Sequence, residues 1–232
     1  MRIVALALTL SFVTPAVGAQ QPGDTRAYLL VIDDLHLDFR STPRVRDLLQ
    51  RLTTAVLGRD GDLAAIVSTG YSSISERPSS NIETVMSAIN RVTGGGLRPE
   101  EMAAALTPPG DDRELGRRIP VSLSTALDAL RNFGRVPAGR RAVIYVSNGH
   151  PVPVDSEQFD SVVRAANDAR SPIYVFSVFD LVTAPLPQPD SDVWRQYVQD
   201  SREMLRQLAA ATGGLMAINA GDLEHILNVL TN

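Results

Sequence analysis

Short, uninterrupted apolar runs alternate along the chain with longer segments in which apolar residues recur every three or four positions. An uninterrupted run that contains valine and isoleucine is typical of a strand buried on both faces of a parallel sheet. Recurrence at i, i+3, i+4 and i+7 is typical of a helix with one buried face. The pattern predicts strands at 28–32, 63–68, 142–147, 172–178 and 215–218, and helices at 41–56, 81–92, 99–106, 121–133, 157–169, 192–211 and 222–230.

The order of these segments predicts the fold class. Strands and helices alternate throughout 27–232, which is typical of a three-layer α/β domain: a doubly wound, mostly parallel sheet with helices on both faces. The polar stretch 69–80 has room for an edge strand or a hairpin at most. The charged, proline-flanked stretch 107–120 predicts a long loop. No second composition regime appears, so 27–232 is predicted to be one domain.

The first predicted strand ends directly at two acidic residues, Asp33 and Asp34. Ligands of open α/β sheets bind outside the carboxyl ends of the strands, so this junction is the first candidate site. Both carboxylates also suit the plainer role of capping backbone N–H groups in the loop, and the residues alone leave the two roles open. The loops expected to share this rim, and to form the binding surface, are 33–39, 69–80, 107–120 and 148–154.

The N-terminus has the pattern of a secretory signal peptide over residues 1–19. Arg2 gives a positive start, 3–13 is uncharged and apolar, and Val17-Gly18-Ala19 has the small residues of a cleavage site. The apolar run is well short of the roughly 20 residues of a membrane span. We therefore predict a periplasmic or secreted protein, without stable membrane insertion after cleavage, in which 20–26 is a polar lead-in.

Composition removes several classes of chemistry. Cysteine is absent, which excludes disulfides, thiol catalysis and thiolate metal ligands. The 22 basic residues are all arginine, the formal net charge is −4, and no long basic run occurs. The sequence therefore gives no electrostatic footprint for nucleic acid.

Six segments follow one another along the chain in this order: VIDDLHL, GRDGDLAAIVST, STALDAL, GRRAVIYVSNG, PIYVFSV and LAAATGGLMAINAGDLEHIL. Together they resemble a von Willebrand factor type A (VWFA) domain, most closely the VWFA-related domain of acidobacterial type. The resemblance spans about 27–230 and is carried by the order and spacing of the segments more than by any one of them. It implies an adhesion or protein-binding module with a metal-ion-dependent adhesion site, and no enzymatic activity.

In that family an Asp-x-Ser-x-Ser motif after the first strand, a later threonine and the aspartate of a Thr-Asp-Gly turn hold a divalent cation. Asp33 matches the first aspartate, but Leu35 and Leu37 replace the two serines. Leucine offers no oxygen, whereas Mg²⁺ requires near-octahedral oxygen ligands. The implied site is therefore degenerate.

Two further positions complete the implied site. Ser124 is near the family threonine, judged by its distance from Ala129-Leu130, and Thr125 is a close competitor. Asn148, in Ser147-Asn148-Gly149, replaces the second aspartate and keeps an oxygen while losing a charge. The resemblance thus implies either no cofactor or a weakly bound Mg²⁺, Mn²⁺ or Ca²⁺ on Asp33, Ser124 and Asn148.

We expect the protein to bind another protein, in the cell envelope or outside the cell, with metal-dependent binding as the alternative. A second alternative is an exported hydrolase using Ser147, His150 and Asp33, although Ser147 is outside the Gly-x-Ser-x-Gly context of a nucleophile elbow. The candidate binding residues are Asp33, Asp34, His36, Ser124, Asn148 and His150.

Other polar and aromatic residues have simpler expected roles. Asp34, His36 and Asp38 would project to one side of a strand and suit zinc, but a solvated loop is the favoured interpretation because no further histidine cluster supports a site. His225 is expected on the surface of the last helix. Trp194 and Tyr197 are expected to pack in the core.

Overall fold

A computed structural model of the protein describes residues 25–108, 110, 113–152, 156–183 and 188–232. The predicted signal peptide 1–19 lies outside the described residues, as does most of the polar lead-in. The strands are β1 (Arg26–Ile32), β2 (Leu63–Ser68), β3 (Ser75–Ser79), β4 (Arg140–Ser147), β5 (Ile173–Ser177) and β6 (Met216–Ala217). The helices are α1 (Thr42–Val56), α2 (Ile82–Arg91), α3 (Pro99–Leu106), α4 (Arg113–Phe133), α5 (Glu157–Asp168), α6 (Asp192–Ala211) and α7 (Ala220–Thr231).

The strands form one six-stranded sheet in the order β3-β2-β1-β4-β5-β6. Every neighbouring pair is parallel except β2 and β3, which are antiparallel. The chain winds outward from β1 in one direction to β2 and in the other to β4, so the order reverses between β1 and β4. The predicted fold class, a doubly wound and mostly parallel α/β sheet, is confirmed. Ligands of such sheets bind at this reversal point.

Helices cover both faces of the sheet, which explains why β1 is apolar at successive positions. Successive strand residues point to opposite faces. Leu30 and Ile32 join the core under α1, α2 and α7, whereas Leu29 and Val31 join the core under α4, α5 and α6. All four side chains are buried. A third, smaller apolar cluster joins α3, α4 and α6 through Met102, Leu115, Trp194 and Val198.

The main difference from the predicted elements is at 107–120, which was expected to be a loop. Helix α4 begins at Arg113, so most of this stretch is its first two turns. Leu115 is buried in the third apolar cluster, and Arg118 is buried and donates from Nη1 to the carbonyls of Leu35 (2.9 Å) and Gly95 (2.6 Å). Buried contacts of this kind outweigh the charge and the proline that favoured a loop.

Shorter differences occur at three places. The stretch 69–80 contains one antiparallel edge strand, β3, as predicted. The predicted loop after β1 includes a short 3₁₀-helix, Phe39–Ser41, and one turn of π-helix, Phe179–Thr183, follows β5.

A buried ion pair fastens the last helix to the amino-terminal end of the sheet. Arg26, at the start of β1, donates from Nε to both carboxylate oxygens of Asp62 at 3.1 and 3.2 Å. The same guanidinium donates to the carbonyl of Thr231, and the Tyr28 hydroxyl donates to the carbonyl of Leu230 at 2.7 Å. The hydrogen bond to Asp62 raises the pKa of Arg26, so the buried guanidinium is charged at neutral pH.

Within the described residues, every helix is too short or too polar to span a lipid bilayer.

Candidate functional site

The site is centred on Asp33, the first residue after β1. The backbone N–H of Asp33 donates to the carbonyl of Val146 on β4 at 3.0 Å, and the N–H of Thr69 donates to the carbonyl of Ile32 at 3.0 Å. The parallel registers of β1 with β2 and with β4 therefore carry on one step beyond the strands. This places Asp33 at the carboxyl rim, beside the point where the strand order reverses.

Donors from four parts of the chain surround the carboxylate of Asp33. Thr69 and Ser122 donate hydroxyls to Oδ1 at 3.0 and 2.8 Å, and Ser147 donates to Oδ2 at 2.6 Å. The Nδ1 atom of His36 lies 2.9 Å from both oxygens. Because these donors come from the loops after β1 and β2, from α4 and from the end of β4, a single carboxylate joins the elements that form the rim.

The carboxylate of Asp33 is fully buried, yet it is ionised. Burial by itself raises a carboxyl pKa. The hydrogen bonds that the carboxylate accepts from the ring of His36 and from Ser147 outweigh this effect and hold the pKa of Asp33 well below its usual range. A buried carboxylate with several donors is stabilised in its charged form.

Asp34 has the loop-capping role that the sequence left open. Its Oδ1 accepts from the backbone N–H of Gly70 at 2.6 Å, and its Oδ2 accepts from the N–H of Ser72 at 2.7 Å. The side chain is fully buried. Asp34 thus holds the loop after β2 against the loop after β1.

A run of three glycines, 94–96, lets a third segment approach the Asp33 loop closely. The N–H of Gly95 donates to the carbonyl of Asp34 at 2.8 Å, and the N–H of Gly96 donates to the carbonyl of Leu37 at 2.8 Å. A Cβ atom on Gly94 would lie 2.4 Å from that same Leu37 oxygen. Only glycine fits at this distance, so the triplet has a packing role.

Two buried histidines lie side by side under the loops. The rings of His36 and His150 have centroids 4.5 Å apart and are tilted by 44°. The expected solvated loop around Asp34, His36 and Asp38 is wrong, because all three side chains are buried. The three residues also do not lie on a strand, so they do not project to one side as a strand would require. A turn follows β1 and directs His36 toward Asp33.

Burial, followed by the nearby His36, lowers the pKa of His150 to about 3. A protonated imidazole here would lose its water shell and face a second ring that can also carry charge. His150 is therefore neutral at neutral pH.

The hydrolase alternative requires a serine hydroxyl that donates to an imidazole. The hydroxyl of Ser147 donates to Asp33 instead, and it accepts from the N–H of Gly149 at 2.8 Å. Among the described residues, neither ring nitrogen of His150 has a hydrogen-bond partner. Ser147, His150 and Asp33 are neighbours, but they are not connected as a catalytic triad.

The structure brings Asn148 to the rim and places Ser124 outside it. The Nδ2 atom of Asn148 donates to the carbonyl of His36 at 2.9 Å, so the first acidic pair and the asparagine turn share one rim, as predicted. Ser124 was expected near Asp33, and this is wrong. Its side chain is exposed and its hydroxyl donates to the carbonyl of Val121 at 3.0 Å, while Ser122 contacts the carboxylate.

The two serines on α4 form a matched pair for a test. Replacing Ser122 with alanine is expected to destabilise the fold by about 1–3 kcal/mol, because it removes a buried hydrogen bond to a charged group. The same change at exposed Ser124 is expected to cost less than about 0.5 kcal/mol. Urea unfolding of both variants measures the difference, and equal midpoints would contradict the assignment of Ser122 to the site.

The residues around Asp33 do not fit Mg²⁺ or Ca²⁺. The carboxylate oxygens already accept from five side chains, and a hard cation would have to displace these donors to bind there; the donors are His36, Thr69, Ser122, Tyr145 and Ser147. The side chains of Leu35 and Leu37, which replace the expected serines, are buried apolar groups. With Ser124 directed away, Asp33 and Asn148 are all that is left of the implied ligand set.

Exposed and core residues outside the rim follow the sequence predictions. His225 is exposed on α7. Trp194 and Tyr197 stack with centroids 5.7 Å apart and an interplanar angle of 15°, and Trp194 belongs to the third apolar cluster. Sequence reasoning missed Ser122, Thr69 and Arg118 as residues that hold the rim.

No protein-family model matches the sequence, and no curated protein matches it significantly. Among solved structures, the fold is similar to the pilus adhesin SpaC from Lactobacillus rhamnosus GG in its open conformation, with a TM-score of 0.52 and 12% identity over 91% of this chain. The chain spans 30% of that adhesin.

Two other solved structures align at lower scores. The N-terminal domain of TFIIH p34 aligns with a TM-score of 0.44 and 14% identity, over 91% of this chain and 99% of that one. The PilB minor pilin from Streptococcus sanguinis aligns with a TM-score of 0.46 and 7% identity, over 90% of this chain and 60% of that one. At these identities the likeness concerns the fold alone.

Proposed function

We propose that this chain is an exported, VWFA-like domain of the adhesion type, which binds another protein through the carboxyl rim of its sheet and has no enzymatic activity. The observation that carries the proposal is the bonding of Asp33. At the position where the sequence resemblance implies a cation, protein side chains surround the carboxylate and join the rim loops. Binding at this rim is then independent of Mg²⁺ and Ca²⁺.

A rim fixed in this way suits protein recognition. Loops that are already ordered lose little conformational entropy when a partner binds, and the saved entropy appears as affinity. Asp33, Asp34 and the glycine triplet 94–96 fasten the loops to one another by buried hydrogen bonds. The similarity to a pilus adhesin is in keeping with a protein-binding role, although it concerns the fold.

Two exposed aromatic side chains supply the contact surface. Phe39 is 58% exposed and Tyr71 is 62% exposed, and they lie on the loops after β1 and β2. The glycine triplet connects their surroundings, since Asp38 pairs with Gly96 and the ring of Tyr71 packs over Gly95. Aromatic residues are enriched among the side chains that contribute most to binding between proteins.

The test uses the mature chain, 20–232, immobilised to capture partners from a cell-envelope fraction of the source organism. The double variant Phe39→Ala, Tyr71→Ala is expected to lose capture of a partner that the wild type retains, by at least roughly tenfold. The matched control is Leu215→Ala, an exposed apolar residue immediately before β6, at the opposite end of the sheet. This control is expected to capture as well as the wild type.

Millimolar Mg²⁺ or Ca²⁺, added to buffer freed of divalent cations, is expected to leave capture unchanged. An increase on addition would support the alternative of metal-dependent binding. Equal capture by the double variant and the wild type would contradict the assignment of the rim as the binding surface.

A further inference from the structure

Two buried imidazoles at the rim have ring nitrogens that make no hydrogen bond to any described residue. His36 is 5% exposed and His150 is fully buried. Within 25–232, apart from the undescribed residues, the Nε2 atom of His36 and both ring nitrogens of His150 have no hydrogen-bond partner. More than nine in ten buried polar groups in native proteins are satisfied, so three such nitrogens in adjacent rings require an explanation.

The carboxylate of Asp33 sets the tautomer of His36. A carboxylate only accepts hydrogen bonds, so the Nδ1 atom of His36, 2.9 Å from both oxygens, carries the proton. This leaves Nε2 as the ring nitrogen that is available to a ligand. An imidazole that donates one N–H to a carboxylate and leaves the other nitrogen free has the arrangement of a metal-ligating histidine with its outer-shell partner.

The amide of Asn148 lies beside His36. Its Nδ2 atom donates to the carbonyl of His36 at 2.9 Å, which orients the amide. Its Oδ1 atom is buried and has no hydrogen-bond partner within the described part of the chain. His36, Asn148, Trp194 and Tyr197 all line a cavity of about 40 Å³. This is enough space for an ion with a water molecule, since one water needs about 10–15 Å³.

We propose that the chain binds one transition-metal ion, of the Zn²⁺ class, through the Nε2 atom of His36 and a ring nitrogen of His150. The Oδ1 atom of Asn148 and a water molecule in the cavity complete the coordination. Two imidazoles and an amide oxygen suit Zn²⁺, Ni²⁺ or Cu²⁺ and are poor ligands for Mg²⁺ or Ca²⁺. The site differs from the one implied by the sequence resemblance, because Asp33 orients a ligand and is not itself the main ligand.

The distances fit this assignment. Potential ligand atoms of Asp33, His36 and His150 all lie within 4.8 Å of one another. Zinc binds imidazole nitrogen at about 2.0–2.1 Å, so two nitrogens that share an ion are within about 4 Å of each other. Binding therefore requires the ring of His150 to turn toward Nε2 of His36 while Nδ1 of His36 keeps its hydrogen bond to Asp33. Met102, Trp194 and Val198 of the third apolar cluster also line the cavity.

The chain offers a matched control, because it contains three histidines in all and the third, His225, is exposed on α7. The experiment uses tag-free mature protein stripped of metal and titrated with ZnCl₂, with MgCl₂ as comparison, by isothermal calorimetry and thermal melting. We expect one Zn²⁺ per chain, a higher melting temperature, and no response to Mg²⁺.

His150→Phe keeps an aromatic ring of similar size and removes the ring nitrogen that would bind the ion. Loss of an outer-shell partner alone weakens metal binding by roughly 10- to 100-fold. Loss of a direct ligand is therefore expected to weaken Zn²⁺ binding by more than this. His225→Ala is expected to bind as the wild type does. The proposal would be overturned if the wild type binds no Zn²⁺, or if His150→Phe binds Zn²⁺ as tightly as the wild type.

If His150→Phe does not fold, NMR of the wild type provides a second measurement. Zn²⁺ is expected to shift the ring-nitrogen signals of His36 and His150 and to leave those of His225 in place. A shift confined to His225 would overturn the proposal. Protein capture through Phe39 and Tyr71 is tested separately, so a failure of zinc binding leaves the proposed function intact.

Discussion

Replacing Asp33 with alanine is expected to destabilise the chain by about 3–5 kcal/mol, a large part of the roughly 5–15 kcal/mol that stabilises a domain. The change leaves the hydroxyls of Ser122 and Ser147 and the ring of His36 buried without their acceptor. Each unsatisfied group costs about 1–3 kcal/mol, which relaxation of the rim recovers in part. Far-UV circular dichroism in urea gives the unfolding midpoint.

The control for this prediction is Asp128→Ala on α4, whose side chain is 74% exposed. It removes the same charge from the surface and is expected to change stability by less than about 0.5 kcal/mol. If Asp33→Ala unfolds at the same urea concentration as Asp128→Ala, the carboxylate does not hold the rim together.

The lowered pKa of Asp33 gives this prediction a pH dependence. The pKa of an aspartate in the unfolded chain is about 3.9, above that of Asp33 in the folded chain. The folded state therefore binds fewer protons, and the contribution of Asp33 is complete above about pH 4 and lost as the pH falls below it. Asp33→Asn has no carboxylate to titrate, whereas the wild type loses the contribution of Asp33 in acid. The difference in the free energy of unfolding between the wild type and Asp33→Asn is therefore expected to shrink as the pH falls.

Replacing Asp62 with alanine is expected to cost about 3–5 kcal/mol, because the guanidinium of Arg26 is left charged and buried. Arg26 is 3% exposed and Asp62 is 2% exposed. Loss of the ion pair also weakens the attachment of the carboxyl end of α7 at Thr231. In Asp62→Ala, hydrogen exchange measured by mass spectrometry is expected to become faster in α7, relative to the wild type, and to change less in α5. Urea unfolding gives the total loss of stability.

Glu224→Ala is the matched control on the same helix. Glu224 pairs with Arg51 of α1, but the two side chains are 57% and 53% exposed. Exposed ion pairs contribute about 0–1 kcal/mol, so this variant is expected to resemble the wild type. The double variant Arg26→Met, Asp62→Leu removes both charges and is expected to recover most of the stability. A double variant as unstable as Asp62→Ala would show that packing, and not the unpaired charge, is responsible.

The fold could be predicted from the sequence because its signals are strong and local. The run 28–32 is apolar at every position since both faces of β1 are covered, and a parallel sheet brings the ends of its strands to one rim. Asp33 and Asn148 were therefore placed together correctly. The boundary of α4 was missed because its first turns are charged and contain Pro120, and the contacts that stabilise them come from distant residues.

The site was predicted less well because it depends on side-chain direction. Ser122 lies four residues before Ala126 and eight before Leu130, so all three residues are on the same, buried face of α4. This spacing could have identified Ser122 from the sequence. His36 had no comparable signal. It faces Asp33 through an irregular turn, and neither helical nor strand periodicity describes such a turn.

The two outer strands restrict how a partner can approach. Strand β3 has the sequence SERPS, in which Pro78 lacks a backbone donor and Glu76 and Arg77 carry charge, and β6 has only two residues. Edge strands that are short, charged or proline-containing prevent other polypeptide chains from pairing with a sheet. The edges of the sheet are thereby protected against stacking on copies of the same chain, and contacts with a partner are left to side chains.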